Sequence, residues 1–370
     1  MLFHRLIPVF AAAAQALPQP ASAHCRDIQI PITVSQPRFI VTASLKDDWD
    51  VAALTLNLTR RDSGHSADPL PINGATSSDV KSTYTVGATL CGNGGPTLVL
   101  THGIIESKLY WNPSFPGSKQ YNFVDAAVAA GYSVLSYDRI GVGSSPKVNS
   151  LTDAQFQVEV AVLEGLVNYA KTKAHATKVA LVGHSYGSYI SSAAASNIAV
   201  DGLVLTGFSG TFDYFPPFVA GASLRVARTQ NPLRWGKLDS GYLTTADLYA
   251  ETYVYYAAPY FEHSVAEYTF NVGSEPFAVG ELPSLLATTI NYKNIKAPVY
   301  VLQGQFDVSA CGGNCVGVVN NTKTIFTGSK ALEYVEDLPA GHNLNFHKVA
   351  PQAFQKIFSF LSKHGVKPYA

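Results

Sequence analysis

Val179-Ala180-Leu181-Val182-Gly183-His184-Ser185-Tyr186-Gly187 is a short apolar run that ends in Gly-x-Ser-x-Gly. Residues 188–199, which follow, are helix-compatible, with small Ala and Ser side chains on the early turns. Strand, tight turn and helix in that order are the context of a nucleophile elbow. Side chains two positions either side of the serine would collide in so tight a turn, and Gly183 and Gly187 have none. The turn then holds the Ser185 hydroxyl above the sheet. The backbone N–H of Tyr186 opens the next helix, where the helix dipole favours negative charge. An ordinary strand–turn–helix has the same pattern, so the rest of the chain must decide.

Outward from this stretch, strands and helices alternate. Residues 97–101 read as a short buried strand running into His102-Gly103. A helix is expected over 123–130, then a strand over 132–137 ending in Asp138-Arg139-Ile140-Gly141-Val142-Gly143-Ser144-Ser145. Thr152 or Asp153 can cap a helix with Phe156, Val160, Leu163 and Val167 on one face. Further strands are expected at 202–206, 298–304 and 331–335, and a last helix at 349–363. Fully apolar strands alternating with helices argue for a parallel sheet covered on both faces. Residues 24–95 read instead as β-rich, with strands at 38–43, 51–58 and 82–86, a turn at Asp47-Asp48 and a loop over 63–80. Residues 210–289 break the alternation and are rich in Tyr and Phe.

A serine needs a base, and the base needs an orienter. Of ten histidines, His342 fits best: it follows the last expected strand and Gly341, with only a helix behind it. His347 is a competitor at the start of that helix, while His102 and His184 belong to turns of their own. Asp307, after the strand at 298–304, is placed to orient the imidazole, with Asp213 as runner-up. The chain order Ser185, Asp307, His342 suits a nucleophile elbow and differs from the two unrelated serine-protease arrangements. An oxyanion requires two backbone donors. Tyr186 N–H supplies one, and Ile104 N–H, after the Gly103 turn, is expected to supply the other.

Leu100-Thr101-His102-Gly103, Asp138-Arg139-x-Gly141-x-Gly143-x-Ser145, Gly183-His184-Ser185-Tyr186-Gly187, Gly304-x-x-Asp307 and Gly341-His342 occur in one order over roughly residues 95–365. In these motifs the chain resembles the α/β-hydrolase family, of the secreted fungal-type esterase or lipase-like sort. The resemblance implies an α/β fold with a mostly parallel eight-stranded sheet, helices on both faces and a helical cap inserted after the sixth strand. It also implies the triad Ser185, Asp307 and His342. On this reading residues 24–95 join the core, 96–209 and 290–370 form it, and 210–289 are the cap. No glycine run follows His102-Gly103, which argues against a wide oxyanion loop. Ser185 stands where epoxide hydrolases and dehalogenases carry a carboxylate, which argues against both chemistries.

Residues 1–23 read as a secretory signal: a weakly basic start, a short apolar core and Ala21-Ser22-Ala23 as the cleavage site. In an oxidising compartment the four cysteines suggest two bridges. Several connectivities are open; Cys25–Cys91 and Cys311–Cys315 are favoured. Asn57-Leu58-Thr59 and Asn320-Asn321-Thr322 are glycosylation candidates. The 26 basic and 26 acidic residues cancel, which gives no electrostatic footprint for nucleic acid. No apolar stretch is long enough for stable membrane insertion. No metal and no organic cofactor are expected. The expected activity is ester, lactone or thioester hydrolysis on a medium-sized apolar or aromatic small molecule. Alternatives are an acyltransferase or natural-product enzyme, a serine peptidase using Glu251, Glu262, Glu267 or Glu275, or a non-catalytic binding protein.

Overall fold

The computed structural model describes residues 25–59 and 70–368. The expected signal segment and part of the 63–80 loop lie outside the described residues. Eight strands form the central sheet: β1 Cys25–Gln36, β2 Val80–Cys91, β3 Gly95–Thr101, β4 Ser133–Tyr137, β5 Ala176–His184, β6 Gly202–Thr206, β7 Val299–Gly304 and β8 Leu332–Leu338. Their spatial order is β1-β2-β4-β3-β5-β6-β7-β8. The pairs from β4 through β8 are parallel, and β2 is antiparallel to both its neighbours. Every residue of β3, β4, β6 and β7 is buried, as a sheet covered on both faces demands.

The main helices are α1 Asp48–Thr59, α2 Phe123–Ala129, α3 Phe156–Thr172, α4 Tyr186–Asn197, α5 Phe215–Ala222, α6 Leu248–Tyr255, α7 His263–Tyr268, α8 Glu281–Ala287 and α9 Ala350–Lys363. Helix α3 packs on α4, and α2 packs on α9. In α9, Phe354, Ile357, Phe358, Phe360 and Leu361 are buried, each stabilising the fold by about 1.5–3 kcal/mol. Phe123 of α2 meets Phe354 edge-on at 5.1 Å, and Trp111 closes the same cluster.

The N-terminal region differs from the sequence reading in three places. Residues 51–58, expected as a strand, lie in α1. Asp47 Oδ1 accepts from the N–H groups of Trp49 and Asp50, and Asp50 Oδ2 accepts from Lys46 N–H, a reciprocal helix-start cap. Val51, Leu54 and Leu58 then fall on one helical face, with Val51 and Leu58 buried. Residues 38–43 contain only a three-residue strand, Phe39–Val41, which pairs with Ile72–Ala75 inside the expected loop. The long strand β1 occupies residues where no individual strand is expected, with Ile30, Ile32 and Val34 buried at the two-residue spacing of a half-covered strand. Pro31 is tolerated there because β1 is an edge strand.

Helix α3 starts later than expected. Gln155, not Thr152 or Asp153, precedes its first turn, and the Phe156 N–H donates to Ser284 Oγ at 2.8 Å. The donor that a local cap would satisfy is met by a residue distant in sequence. Between β6 and β7 lie α5 to α8 and a three-stranded antiparallel sheet of Arg225–Val226, Tyr242–Thr244 and Phe277–Ala278. This insertion is thus not purely helical.

Candidate active site

Ser185 links β5 to α4 with φ 54° and ψ −124°, a left-handed backbone that a non-glycine residue adopts at a cost. The strain is held by Ser185 N–H donating to Thr206 O and by Ser188 N–H donating to Ser185 O, both at 2.8 Å. A side chain on Gly183 would meet Ser188 Cα at 2.7 Å, inside any real contact distance. One on Gly187 would strike the backbone at Thr101 and His102, so this glycine makes room for the loop after β3 rather than for Gly183.

Asp307 follows β7 and is fully buried. Its Oδ2 lies 2.7 Å from His342 Nδ1 and also accepts from Gln303 Nε2. Its Oδ1 accepts from Ala310 N–H at 2.7 Å. A carboxylate so placed puts the imidazole proton on Nδ1 and leaves Nε2 as the acceptor. Nε2 of His342 is buried without a hydrogen-bond partner among the described residues. Ser185 and His342 line the same cavity, of about 60 Å³. The cavity is otherwise walled by Ile104, Tyr186, Tyr189, Phe212, Phe215, Phe218, Leu282 and Leu285, with Thr211 and Ser309 as its further aliphatic hydroxyls. A larger groove of about 410 Å³, walled by Lys178, Asp201, Lys296 and Lys330 at the other ends of the strands, holds none of the candidate residues.

The competitors separate on hydrogen bonding. His347 Nε2 accepts from Ala257 and Gly341 N–H groups, and its Nδ1 donates to Asn343 O at 2.9 Å. With both nitrogens used and burial holding its pKa down at about 4, it braces the His342 loop and has no lone pair to offer. His102 accepts from Arg139 N–H at Nε2 and donates from Nδ1 to Gly103 O. His184 faces Thr206 Oγ1 at 2.9 Å and stacks on Tyr110 at 4.3 Å. Burial drives both well below the ordinary histidine range, so both are neutral. Asp213 is exposed.

In the loop after β3, Gly103 packs so closely that a Cβ on it would lie 2.8 Å from Ser185 Cβ. Gly103 N–H donates to Glu106 Oε2 at 2.7 Å, and Gly103 O accepts from Arg139 Nη2 at 3.2 Å. Ile105, a β-branched residue, sits at φ 57°. The N–H groups of Ile104 and Tyr186 donate to no acceptor among the described residues. Sequence reasoning gave no role to Glu106, Arg139, Glu159 or Glu281. Arg139 is buried between Glu159 and Glu281, 2.7 Å from each, and its guanidinium lies over the Tyr186 ring. Burial raises the pKa of both glutamates, against the pull of the guanidinium. The legible signal was Glu159, a carboxylate three residues after Phe156 on the apolar face of α3.

Both favoured cysteine pairs are bonded, Cys25–Cys91 and Cys311–Cys315. The second closes the loop that follows Asp307, where Gly313 N–H also donates to Asp307 O at 2.9 Å. Asn57 and Asn320 are exposed.

A family model described as the alpha/beta hydrolase family matches residues 98–353. Among solved structures, an esterase from Exiguobacterium antarcticum is similar with a TM-score of 0.53 and 16% identity, covering 75% of this chain and 96% of that one. A monoacylglycerol lipase from Paleococcus ferrophilus is similar with a TM-score of 0.51 and 17% identity, covering 76% and 99%. At such identities the likeness is one of fold. No curated protein sequence matches the chain.

Proposed function

The chain belongs to the alpha/beta hydrolase family, and on that premise we propose that it is a serine hydrolase of apolar or aromatic small-molecule esters. Ser185 is the nucleophile, His342 the general base and then acid, and Asp307 the residue that fixes the imidazole tautomer and stabilises the imidazolium. Tyr186 and Ile104 N–H groups receive the oxyanion. Attack forms an acyl-enzyme and expels the alcohol; water then releases the acid. The observation that carries this reading is the shared cavity of Ser185 and His342, with Asp307 bonded behind the imidazole.

The uncharged wall favours an ester over a peptide terminus. Glu251 is buried and accepts from Ser274 and Thr245, Glu275 pairs with Arg234, and neither they nor Glu262 and Glu267 line the cavity. Secretion after cleavage near residue 23 remains part of the proposal, supported by the two bonded cysteine pairs. No described helix is long and apolar enough to cross a membrane. Residues 210–289 are proposed as the cap.

The test is labelling of the purified protein with a fluorophosphonate probe, beside Ser185→Ala, followed by short-chain nitrophenyl esters. Labelling lost in the variant, together with ester turnover, is the expected result. Labelling without turnover would favour acyl transfer or a selective natural-product enzyme. A folded protein that does not label would favour a binding protein.

A further inference from the structure

Helix α6 of the insertion ends where the active-site loops converge. The last carbonyls of a helix have no partner within it and need donors from elsewhere. Here those donors come from the loops that carry the candidate residues. Ser309 Oγ, two residues past Asp307, donates to Val254 O at 2.8 Å. Asn343 N–H, next to His342, donates to Tyr255 O at 2.9 Å. The Tyr255 side chain reaches a third loop: its hydroxyl donates to Ile104 O at 2.5 Å. Its ring lies nearly parallel to the His342 imidazole, 12° apart in plane and 5.7 Å between centroids. Phe218 stacks against the tyrosine at 6.5 Å.

The Ile104 contact bears on the oxyanion donor through peptide geometry. Gly103 O and Ile104 N–H belong to one planar trans unit and point in opposite directions. His102 Nδ1 and Arg139 Nη2 hold Gly103 O on one side, which turns Ile104 N–H the other way. Tyr255 holds the next carbonyl, Ile104 O, and so fixes the second peptide around the same residue. The loop needs this hold because Ile105 is kept in a strained left-handed backbone. Burial pushes the Tyr255 hydroxyl well above its ordinary pKa, so it stays a donor at working pH.

We propose that Tyr255 is a positioning residue, its hydroxyl aiming the Ile104 N–H at the oxyanion while its ring steadies the His342 imidazole. This inference rests on the serine-hydrolase reading above. It ties the insertion to the chemistry and not only to substrate shape.

Tyr255→Phe tests it by keeping the ring and removing one hydrogen bond. On a nitrophenyl ester, kcat is expected to fall about 10- to 100-fold with KM within twofold. The rate of fluorophosphonate labelling per folded molecule falls in step. The acid limb of the pH profile stays in place, because the imidazole keeps its neighbour. A merely structural tyrosine would lower folded yield and melting temperature but not kcat per folded molecule. Tyr255→Phe within twofold of wild type in both kcat and labelling overturns the inference. Ser309→Ala, which frees the same helix turn from the acid loop, is the second variant and decides if Tyr255→Phe does not fold. A kcat loss of threefold or more at steady KM supports the inference, and wild-type kinetics overturn it. Wild-type protein that neither labels nor turns over any ester overturns the serine-hydrolase reading itself. Active wild type beside an equally active Tyr255→Phe overturns only the role of Tyr255.

Discussion

Nδ1 of His342 lies 2.7 Å from Oδ2 of Asp307, with both side chains buried. The pair admits one imidazole tautomer, the one that presents a lone pair at Nε2. Asp307→Asn allows the other tautomer. Under the proposed function, kcat should drop by roughly 10³- to 10⁴-fold with KM little changed. Steady-state kinetics check this, and a loss below tenfold would remove Asp307 from the role of orienter.

The two disulfides should separate stability from activity. Their half-cystines stand 66 and 4 residues apart. Loop-closure entropy then predicts about 4 kcal/mol from Cys25–Cys91 and about 2 kcal/mol from Cys311–Cys315. Serine replacement of the first pair should shift urea unfolding more. Replacement of the second should lower kcat more, because Gly313 in its loop donates to the Asp307 carbonyl. Equal kcat losses for the two pairs would contradict this.

Among the described residues, Arg139 is the only cation paired with the buried carboxyl groups of Glu159 and Glu281. Arg139→Met should destabilise the fold by roughly 3–5 kcal/mol, since it strands Glu159 and Glu281. Adding Glu159→Gln and Glu281→Gln should restore part of that. Chemical denaturation of the single and triple variants measures it, and no recovery would mean that lost packing dominates.

Acid sensitivity should trace in part to His347. Burial lowers its folded pKa to about 4, below an unfolded value of about 6.5. A depressed histidine contributes stability that is full above pH 6.5 and lost as pH falls toward 4, up to about 3 kcal/mol. His102 and His184 act with the same sign. Buried Glu251, raised to about 7, acts oppositely: its contribution is full below about pH 4.5 and fades as pH rises through 7. The check is therefore a comparison. His347→Gln should be less stable at pH 7 and show a shallower slope between pH 4 and 6.5. An unchanged slope would acquit this residue.

Phe215 of the insertion walls the cavity that holds Ser185. Phe215→Ala should enlarge it and shift preference toward longer acyl chains. The eight-carbon over four-carbon ratio of kcat/KM should rise by tenfold or more, within the 1–3 kcal/mol that a methylene contributes in such pockets. A matched fall on both esters would place Phe215 outside the acyl site.

The parts of the fold legible in sequence were those coded locally. Residues 98–100 and 203–205 are wholly apolar, and the buried strands β3 and β6 contain them. Ser185 and Asp307 follow strands with such apolar cores, His342 follows the half-buried, acid-bearing β8, and strand ends located all three as candidates. Residues 51–58 were misread because an apolar run fits either period, and the deciding signal was the Asp47–Asp50 cap just before it. The start of α3 and the Glu281 half of the Arg139 cluster were invisible for another reason. Ser284 and Glu281 lie more than a hundred residues from their partners. No window along the chain contains both halves of such a contact.

That same contact limits how the molecule can be recombined. Glu281 and Ser284 belong to the insertion, yet one neutralises the arginine after β4 and the other receives the first N–H of α3. A chimera that imports a foreign insertion without an acid and a hydroxyl at these positions inherits an under-neutralised cation and an orphaned helix end. Insertion and core are therefore heritable only as a matched set, and exchange between relatives must carry residues 139, 159, 281 and 284 together.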